Sequence, residues 1–162
     1  MKLLIFILSS LTVLIGLVCL IGWMLPIKHT ASRTLLINAE INAVWLKINN
    51  YPAMPQWRNE LKKVTELSDG RWQEISKSGD MITFFTTETV PQKRLVRTIV
   101  GEKLMFGGSW TFELSRHERA TKLKITENGE VYNIVFRFVA KFIMGHHGSM
   151  DKYLTQLQDS FK

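Results

Sequence analysis

A run of 23 apolar residues that carries no charge, Leu3–Leu25, constrains this chain more than any other feature. A helix of that length, at 1.5 Å per residue, covers the roughly 30 Å hydrocarbon core of a bilayer. A cleaved signal peptide is the alternative, but its apolar region spans about 7–15 residues and ends in a small-x-small site, which this run lacks. Cys19 follows Val18, where a lipoprotein signal needs a small residue. The run therefore predicts a transmembrane anchor over residues 1–25.

The rest of the chain divides into a linker over residues 26–32 and one folded domain over residues 33–162, a length that suits a single hydrophobic core. Because the linker is short, we expect the domain to stay close to the bilayer. Lys2 on one side of the run and Lys28 and Arg33 on the other leave the orientation open under the positive-inside rule. We expect a single-pass protein, most simply of a bacterial cell membrane.

The charge is strongly basic, with a formal net charge of +7, and all but one of the 21 Lys and Arg residues follow Leu25. Basic groups held beside a bilayer are attracted to anionic headgroups by about 1 kcal/mol each. The basic residues are scattered and no zinc-finger, RNP or helix-turn-helix pattern accompanies them, which argues against nucleic acid. We therefore expect contact with anionic lipid and no nucleic-acid partner, and a merely solvated basic surface is the alternative.

Alternating apolar residues predict a first strand over Arg33–Asn38 and about six antiparallel strands between Val64 and Glu127. Asn38 can cap an intervening helix, and Pro52 ends it. Asp69-Gly70 and Ser78-Gly79-Asp80 predict hairpin turns. Asn128-Gly129 indicates a bulge or the exit from the last strand.

The C-terminal segment, Ile134–Phe161, has the three-and-four apolar spacing of a long helix of about 40 Å, with Asn133 at the N-cap position. Gly145 and Gly148 fall inside this predicted helix, where each glycine costs roughly 1 kcal/mol relative to alanine. Two interpretations stay open: the glycines make room for a ligand beneath the helix, or they allow close packing or a kink.

Several stretches together resemble the START-like (SRPBCC) superfamily, and in particular its polyketide cyclase/dehydrase-type branch: Arg33–Ala39 with Val44-Trp45, Tyr51-Pro52, Trp57-Arg58, Gly107–Trp110, and Thr126–Glu130 with Arg137-Phe138. The likeness covers residues 33–162. It implies an α+β helix-grip fold, a bent antiparallel sheet around a long C-terminal helix, here preceded by one transmembrane helix. The superfamily generally binds hydrophobic ligands in the enclosed cavity, and some members are enzymes.

The resemblance implies a membrane-anchored domain that binds a lipid or other hydrophobic small molecule, without a cofactor, between the sheet and the helix. The alternatives are a cyclase/dehydrase-type enzyme acting on such a molecule and an interaction protein whose cavity is filled by its own side chains. Aromatic residues and the two glycines are the candidates for lining the cavity: Trp72, Phe84, Trp110, Phe112, Phe138, Phe142, Gly145 and Gly148.

No catalytic residue can be assigned, because no nucleophile elbow, P-loop or dinucleotide fingerprint is present. His147 and Asp151 share a helix face, but His146 diverges from them and no third ligand is apparent, so we predict no metal site. Glu127 and Glu130 can act as general acid or base if buried. Three further charged strand residues can point into a lumen, although exposure is the commoner fate: Glu88, Arg97 and Glu113.

Overall fold

The computed structural model describes residues 2–102, 104–145 and 147–162. Seven strands form one antiparallel sheet with the spatial order β1-β7-β6-β5-β4-β3-β2. The strands are β1 (Lys28–Ile37), β2 (Leu61–Glu66), β3 (Arg71–Ser76), β4 (Met81–Val90), β5 (Arg94–Val100), β6 (Phe106–His117) and β7 (Ala120–Val131). The helices are α1 (Lys2–Met24), α2 (Ile41–Asn49), α3 (Ile134–Val139) and α4 (Gly148–Asp159), with 3₁₀ turns at Tyr51–Gln56 and Ser68–Gly70 and a π-helical turn at Ala140–Met144.

Period-two alternation determines which face of the sheet is buried. On β7, Leu123 and Ile125 are fully buried while Lys122 and Lys124 between and beside them are exposed. The buried face packs against α2 and α4. This is the α+β helix-grip architecture, as the resemblance implied.

The turns largely follow the sequence signals. Asp69 and Gly70 both have positive φ, 79° and 77°, and turn β2 into β3. Asn128-Gly129 does not end β7, because β7 stays paired with β1 and β6 as far as Val131. The predicted bulge or strand exit there is wrong, since two flanking strands satisfy the backbone on both sides.

Helix α2 begins later than predicted. Its N-cap is Glu40 rather than Asn38, because the Ala39 amide donates to the Ile37 carbonyl and the Thr121 hydroxyl donates to the Ala39 carbonyl. These bonds hold the chain in a turn before the helix starts.

The C-terminal segment is broken, which corrects the expectation of one continuous helix. Asn133 caps α3 as predicted, accepting a 2.9 Å bond from the Phe136 amide. After the π-helical turn, Gly145 has φ 71° and ψ 154°, a conformation open essentially to glycine alone. The break separates the π-helical turn that follows α3 from α4, which begins at Gly148.

The apolar helix α1 has a mean hydropathy of 2.9 and is long enough to cross a membrane, with none of its most apolar window buried. Only its C-terminal end meets the domain, where Gly22 is buried against α3.

Candidate functional site

The candidate site is a group of polar side chains on the buried, concave face of the sheet. The strand register aligns five residues across neighbouring strands: Ala31, Glu127, Trp110, Arg97 and Thr86. Cross-strand partners in register point to the same face. The register therefore places a cation, a carboxyl group and an indole in one row beneath α4.

Arg97 is the buried cation of this row, with 5% of its surface exposed. Its guanidinium carbon lies 4.8–5.4 Å from the ring centroids of Tyr51, Trp72 and Phe112, the range of cation–π contacts. One guanidinium nitrogen donates to the Ile48 carbonyl, whereas Nε is buried without a partner. No carboxylate in the described part of the chain lies within 4 Å of it, so the positive charge has no counter-ion.

Tyr153 reaches the same interior from α4 and is 4% exposed. Three aromatic rings surround it, with centroids at 5.2–5.7 Å: Trp57, Trp110 and Phe112. Its hydroxyl makes no hydrogen bond of good geometry. Burial raises the pKa of the Tyr153 phenol, and the nearby Arg97 and Arg58 cations oppose that rise only in part. Tyr153 is therefore a neutral phenol at neutral pH, able to donate to a ligand.

Arg58 is a second interior cation, but it is neutralised. Its Nη1 donates to Glu74 and its Nε donates to Glu60, both at 2.8 Å. Burial acts to lower the pKa of Arg58, but the two carboxylates outweigh burial and raise it. The contrast singles out Arg97 as the interior cation whose charge the protein leaves unpaired.

Glu127 and His29 lie at the β1–β7 end of the interior. Burial raises the pKa of the Glu127 carboxyl, opposed by a hydrogen bond from Trp110. The His29 Nε2 lies 3.8 Å from Glu127 Oε1. The His29 ring occupies the space that a Cβ at Gly129 would need, so that glycine lets the imidazole lie over the strand. A carboxyl with a raised pKa beside an imidazole is an arrangement that can transfer protons.

The structure brings together four of the eight residues predicted to line a cavity. Trp72 stacks between Tyr51 and Phe84, at 4.0 and 5.4 Å, and Trp110 and Phe112 contact each other at 6.1 Å. Trp72 and Phe112 lie against Arg97, and Trp110 and Phe112 lie against Tyr153, whereas Phe84 is linked to them through Trp72.

The other four predicted residues lie apart from this interior. Phe138 and Phe142 contact each other at 5.0 Å on α3 and the π-helical turn, and Phe142 is 59% exposed. Gly145 and Gly148 are exposed, and a Cβ at either position would meet open space. Their role in ligand binding stays a prediction.

Two surface cavities of the described structure lie outside the interior between the sheet and α4. One lies between α2 and the following 3₁₀ turn, lined by Lys47, Asn50 and Ala53 among others, and the other lies at the β4–β5 turn around Pro91 and Gln92. None of the eight predicted residues lines either cavity.

The sequence alone did not decide whether Arg97 is buried or exposed. A signal was present, because Arg97 lies two residues after Leu95 on β5 and therefore on the same, buried face. Glu88 and Glu113, in contrast, are partly exposed and both pair with Arg94. The sequence indicated only that Tyr153 lies on the apolar face of a helix, so it could not be distinguished from an ordinary core residue.

The residues considered as metal ligands in the sequence do not form a metal site among the described residues. Asp151 forms a 2.7 Å ion pair with Arg33 on β1. His146 lies outside the described residues, and within them no group of three or more His, Cys, Asp or Glu side chains could hold an ion.

Comparisons with known proteins agree with this architecture. The family described as polyketide cyclase / dehydrase and lipid transport matches residues 37–145. The sequence matches no curated protein. A START superfamily protein from Mycobacterium smegmatis superposes with a TM-score of 0.63 at 13% identity, covering 82% of this chain and 96% of that chain.

Two further solved structures have the same fold. A conserved protein from Geobacillus kaustophilus gives a TM-score of 0.65 at 12% identity, covering 82% of this chain and 94% of that one. A protein from Chromobacterium violaceum gives 0.61 at 19% identity, covering 81% and 95%.

Proposed function

Because the chain belongs to the polyketide cyclase/dehydrase and lipid transport family, we propose that it is a membrane-anchored protein that binds one hydrophobic molecule between the sheet and α4. Family and fold support the binding of hydrophobic ligands in general. The polar end of the ligand lies against Arg97 and Tyr153, and its apolar part lies among the surrounding aromatic rings.

The unpaired Arg97 carries this proposal. A buried charge without a partner is costly unless something compensates it. The cation–π contacts compensate in part, but the Arg97 Nε is buried without a hydrogen-bond partner, and the Tyr153 hydroxyl lies beside the same cation with its own proton free to donate. A carboxylate or other anionic group on an apolar molecule satisfies both donors and the charge together.

The proposed anchoring is supported by α1, whose apolar surface is exposed along most of its length. Exposed apolar area on that scale is unstable in water and stable in lipid. The anchor holds the binding domain beside a reservoir of hydrophobic molecules.

A second candidate function, a cyclase/dehydrase-type enzyme, is favoured by His29 and Glu127. In that case the pair moves a proton on a molecule whose polar end is held by Arg97. Conversion of the bound molecule by the wild-type protein, abolished by Glu127→Gln, distinguishes catalysis from simple binding.

Native mass spectrometry of the full chain released from detergent tests the binding function, with oleic acid and methyl oleate as probes. We expect one bound oleic acid per chain and weaker retention of the uncharged ester. Arg97→Met should remove oleic acid binding, because it deletes the charge while keeping much of the side-chain volume. Arg94→Met is the matched control, since Arg94 lies on the same strand but is partly exposed and paired with Glu88.

Equal retention of acid and ester by wild type and Arg97→Met would place the polar group elsewhere. A wild-type chain that retains neither probe would reject ligand binding and favour a cavity filled by its own side chains.

A further inference from the structure

The surface formed by α3 and the π-helical turn carries an apolar face that the domain does not cover. Val135, Phe142 and Ile143 are 48%, 59% and 71% exposed. Their spacing places them on one side of the helical segment. Tyr132 and Met105, 46% and 57% exposed, lie just before this segment, where the Tyr132 and Asn133 amides donate to the Met105 carbonyl. Exposed apolar area of this extent marks a surface with an occupant.

The position of this segment identifies the occupant. Alpha helix α3 packs alongside the C-terminal end of α1, at a contact so close that a Cβ at Gly22 would collide with the Ile134 carbonyl. Val18 and Cys19, one turn earlier on the same side of α1, are partly covered as well. The part of the chain that is covered, from Val18 to Leu25, is about 10 Å long along the helix axis.

Arg137 fixes this packing. Its Nη1 donates to the Gly22 and Leu25 carbonyls at 3.3 and 3.1 Å, and its Nη2 donates to the Tyr132 carbonyl at 3.2 Å. The last carbonyls of a helix have no partner within the helix, and at a membrane boundary they must find one. The same bonds hold α3 at the depth where α1 leaves the bilayer.

The charged and aromatic residues around this face match a membrane boundary. Lys28 and Lys141 are exposed there, and Lys28 pairs with Glu130. Trp23, at the end of α1, is 68% exposed. Aromatic side chains and lysines concentrate where the headgroups meet the acyl chains.

We infer that residues 134–144 form an interfacial element that inserts its apolar face into one leaflet beside α1, so that Val135, Phe142 and Ile143 contact lipid. This inference rests on the proposed anchoring by α1. It adds that the domain contacts the leaflet at a fixed place, instead of hanging from a flexible tether. Interfacial helices of this kind bury their apolar face about 5–10 Å deep.

Spin-label accessibility in the full chain, reconstituted in phosphatidylcholine and phosphatidylglycerol vesicles, tests the inference. Single cysteines replace Phe142, Ile143, Leu46 or Val13 in a Cys19→Ser background. Leu46 is the matched control, because it is also 59% exposed but lies on α2. Val13, in the middle of α1, reports the anchor by itself. Each label is challenged with oxygen, which concentrates in lipid, and with a water-soluble nickel chelate.

We expect labels at 142, 143 and 13 to show an oxygen-to-nickel ratio several-fold above that of the label at 46. A lipid-exposed label at 13 together with water-exposed labels at 142 and 143 would overturn the inference and leave the anchor intact. A water-exposed label at 13 would overturn the anchor, and the inference with it. Since all four positions are on the surface, none of the labels disturbs the core.

Discussion

The two halves of the C-terminal segment both have apolar residues at helical spacing, but their apolar side chains lie in different environments. Helix α4 buries Met150, Tyr153, Leu154 and Leu157, each 5% exposed or less. The α3 half, with the π-helical turn, leaves Val135, Phe142 and Ile143 uncovered. Both halves have the apolar spacing of an amphipathic helix. The comparison shows that such spacing identifies an apolar face without specifying whether the rest of the protein covers it.

The difference also separates two tasks. In α4, Tyr153 contributes to the interior that holds the proposed ligand, and Arg33–Asp151 and Lys47–Ser160 tie the ends of the helix to β1 and α2. In the α3 half, Arg137 and Gly22 tie the segment to α1. The glycine-dependent turn at Gly145 joins a half that packs into the core of the domain with a half that packs against α1.

Truncating one buried residue of α4 should produce the largest effect. Leu157→Ala removes a fully buried side chain, and the free energy of unfolding should fall by about 2–5 kcal/mol. Phe142→Ala, in the other half, should change it by less than about 0.5 kcal/mol, since that side chain is largely exposed. Urea unfolding of the full chain in non-ionic detergent, followed by circular dichroism, measures both. Equal losses would mean that both halves pack into the same core.

The second-largest effect is expected when α3 is separated from α1. Gly22→Leu forces a side chain against the Ile134 backbone, and this overpacking should cost about 1–3 kcal/mol locally. Gly16→Leu is the matched control, because a Cβ there meets nothing within 4 Å. Hydrogen exchange over residues 134–144 should accelerate in Gly22→Leu alone, while β6 and β7 stay protected. Unchanged exchange would show that α3 does not depend on α1.

Substitutions at the junction between the two halves should change the stability less. Gly145→Ala places a Cβ on a backbone with φ 71°, at a cost of about 1–2 kcal/mol. Gly148→Ala has no such strain and open space around it, so stability should stay level or rise slightly. Thermal melting of the two variants side by side checks this. A loss in Gly148→Ala as large as that in Gly145→Ala would mean that space, not backbone conformation, selects both glycines.

The smallest expected effect is a pH dependence of stability that comes from Glu127, on the buried face of the sheet. Burial raises the pKa of Glu127 above its ordinary value of 4.5, so the folded state binds the proton more tightly than the unfolded state. The protonated carboxyl therefore adds stability below about pH 4.5, and this contribution is lost as the pH rises through the folded-state pKa. Glu127→Gln should flatten that part of the melting temperature profile. An unchanged profile would show that the carboxyl is solvated.

Much of the fold could be predicted from the sequence because it depends on local patterns. Alternation in β5, β6 and β7 predicted which residues share a face of the sheet, the Asn133 side chain predicted the start of α3, and the family resemblance supplied the helix-grip order. Trp72, Phe84, Trp110 and Phe112 were chosen as cavity-lining candidates because large aromatic residues are often buried, and they lie in or against the core. That they line a ligand cavity stays a prediction.

The sequence by itself determined the apolar run of α1, the alternation along the strands and the amphipathic character of the C-terminal segment, since each is a pattern among nearby residues. Only the tertiary structure decided that the C-terminal segment breaks at Gly145, that Arg137 caps α1, and that Arg97 lies buried with no carboxylate within 4 Å among the residues that the structure describes. Each of these depends on groups that are distant in sequence: Gly22 and Arg137 are 115 residues apart, and Arg97 and Ile48 are 49 apart. A charge or a glycine acquires its role from the neighbours that folding places around it, and no local pattern records them.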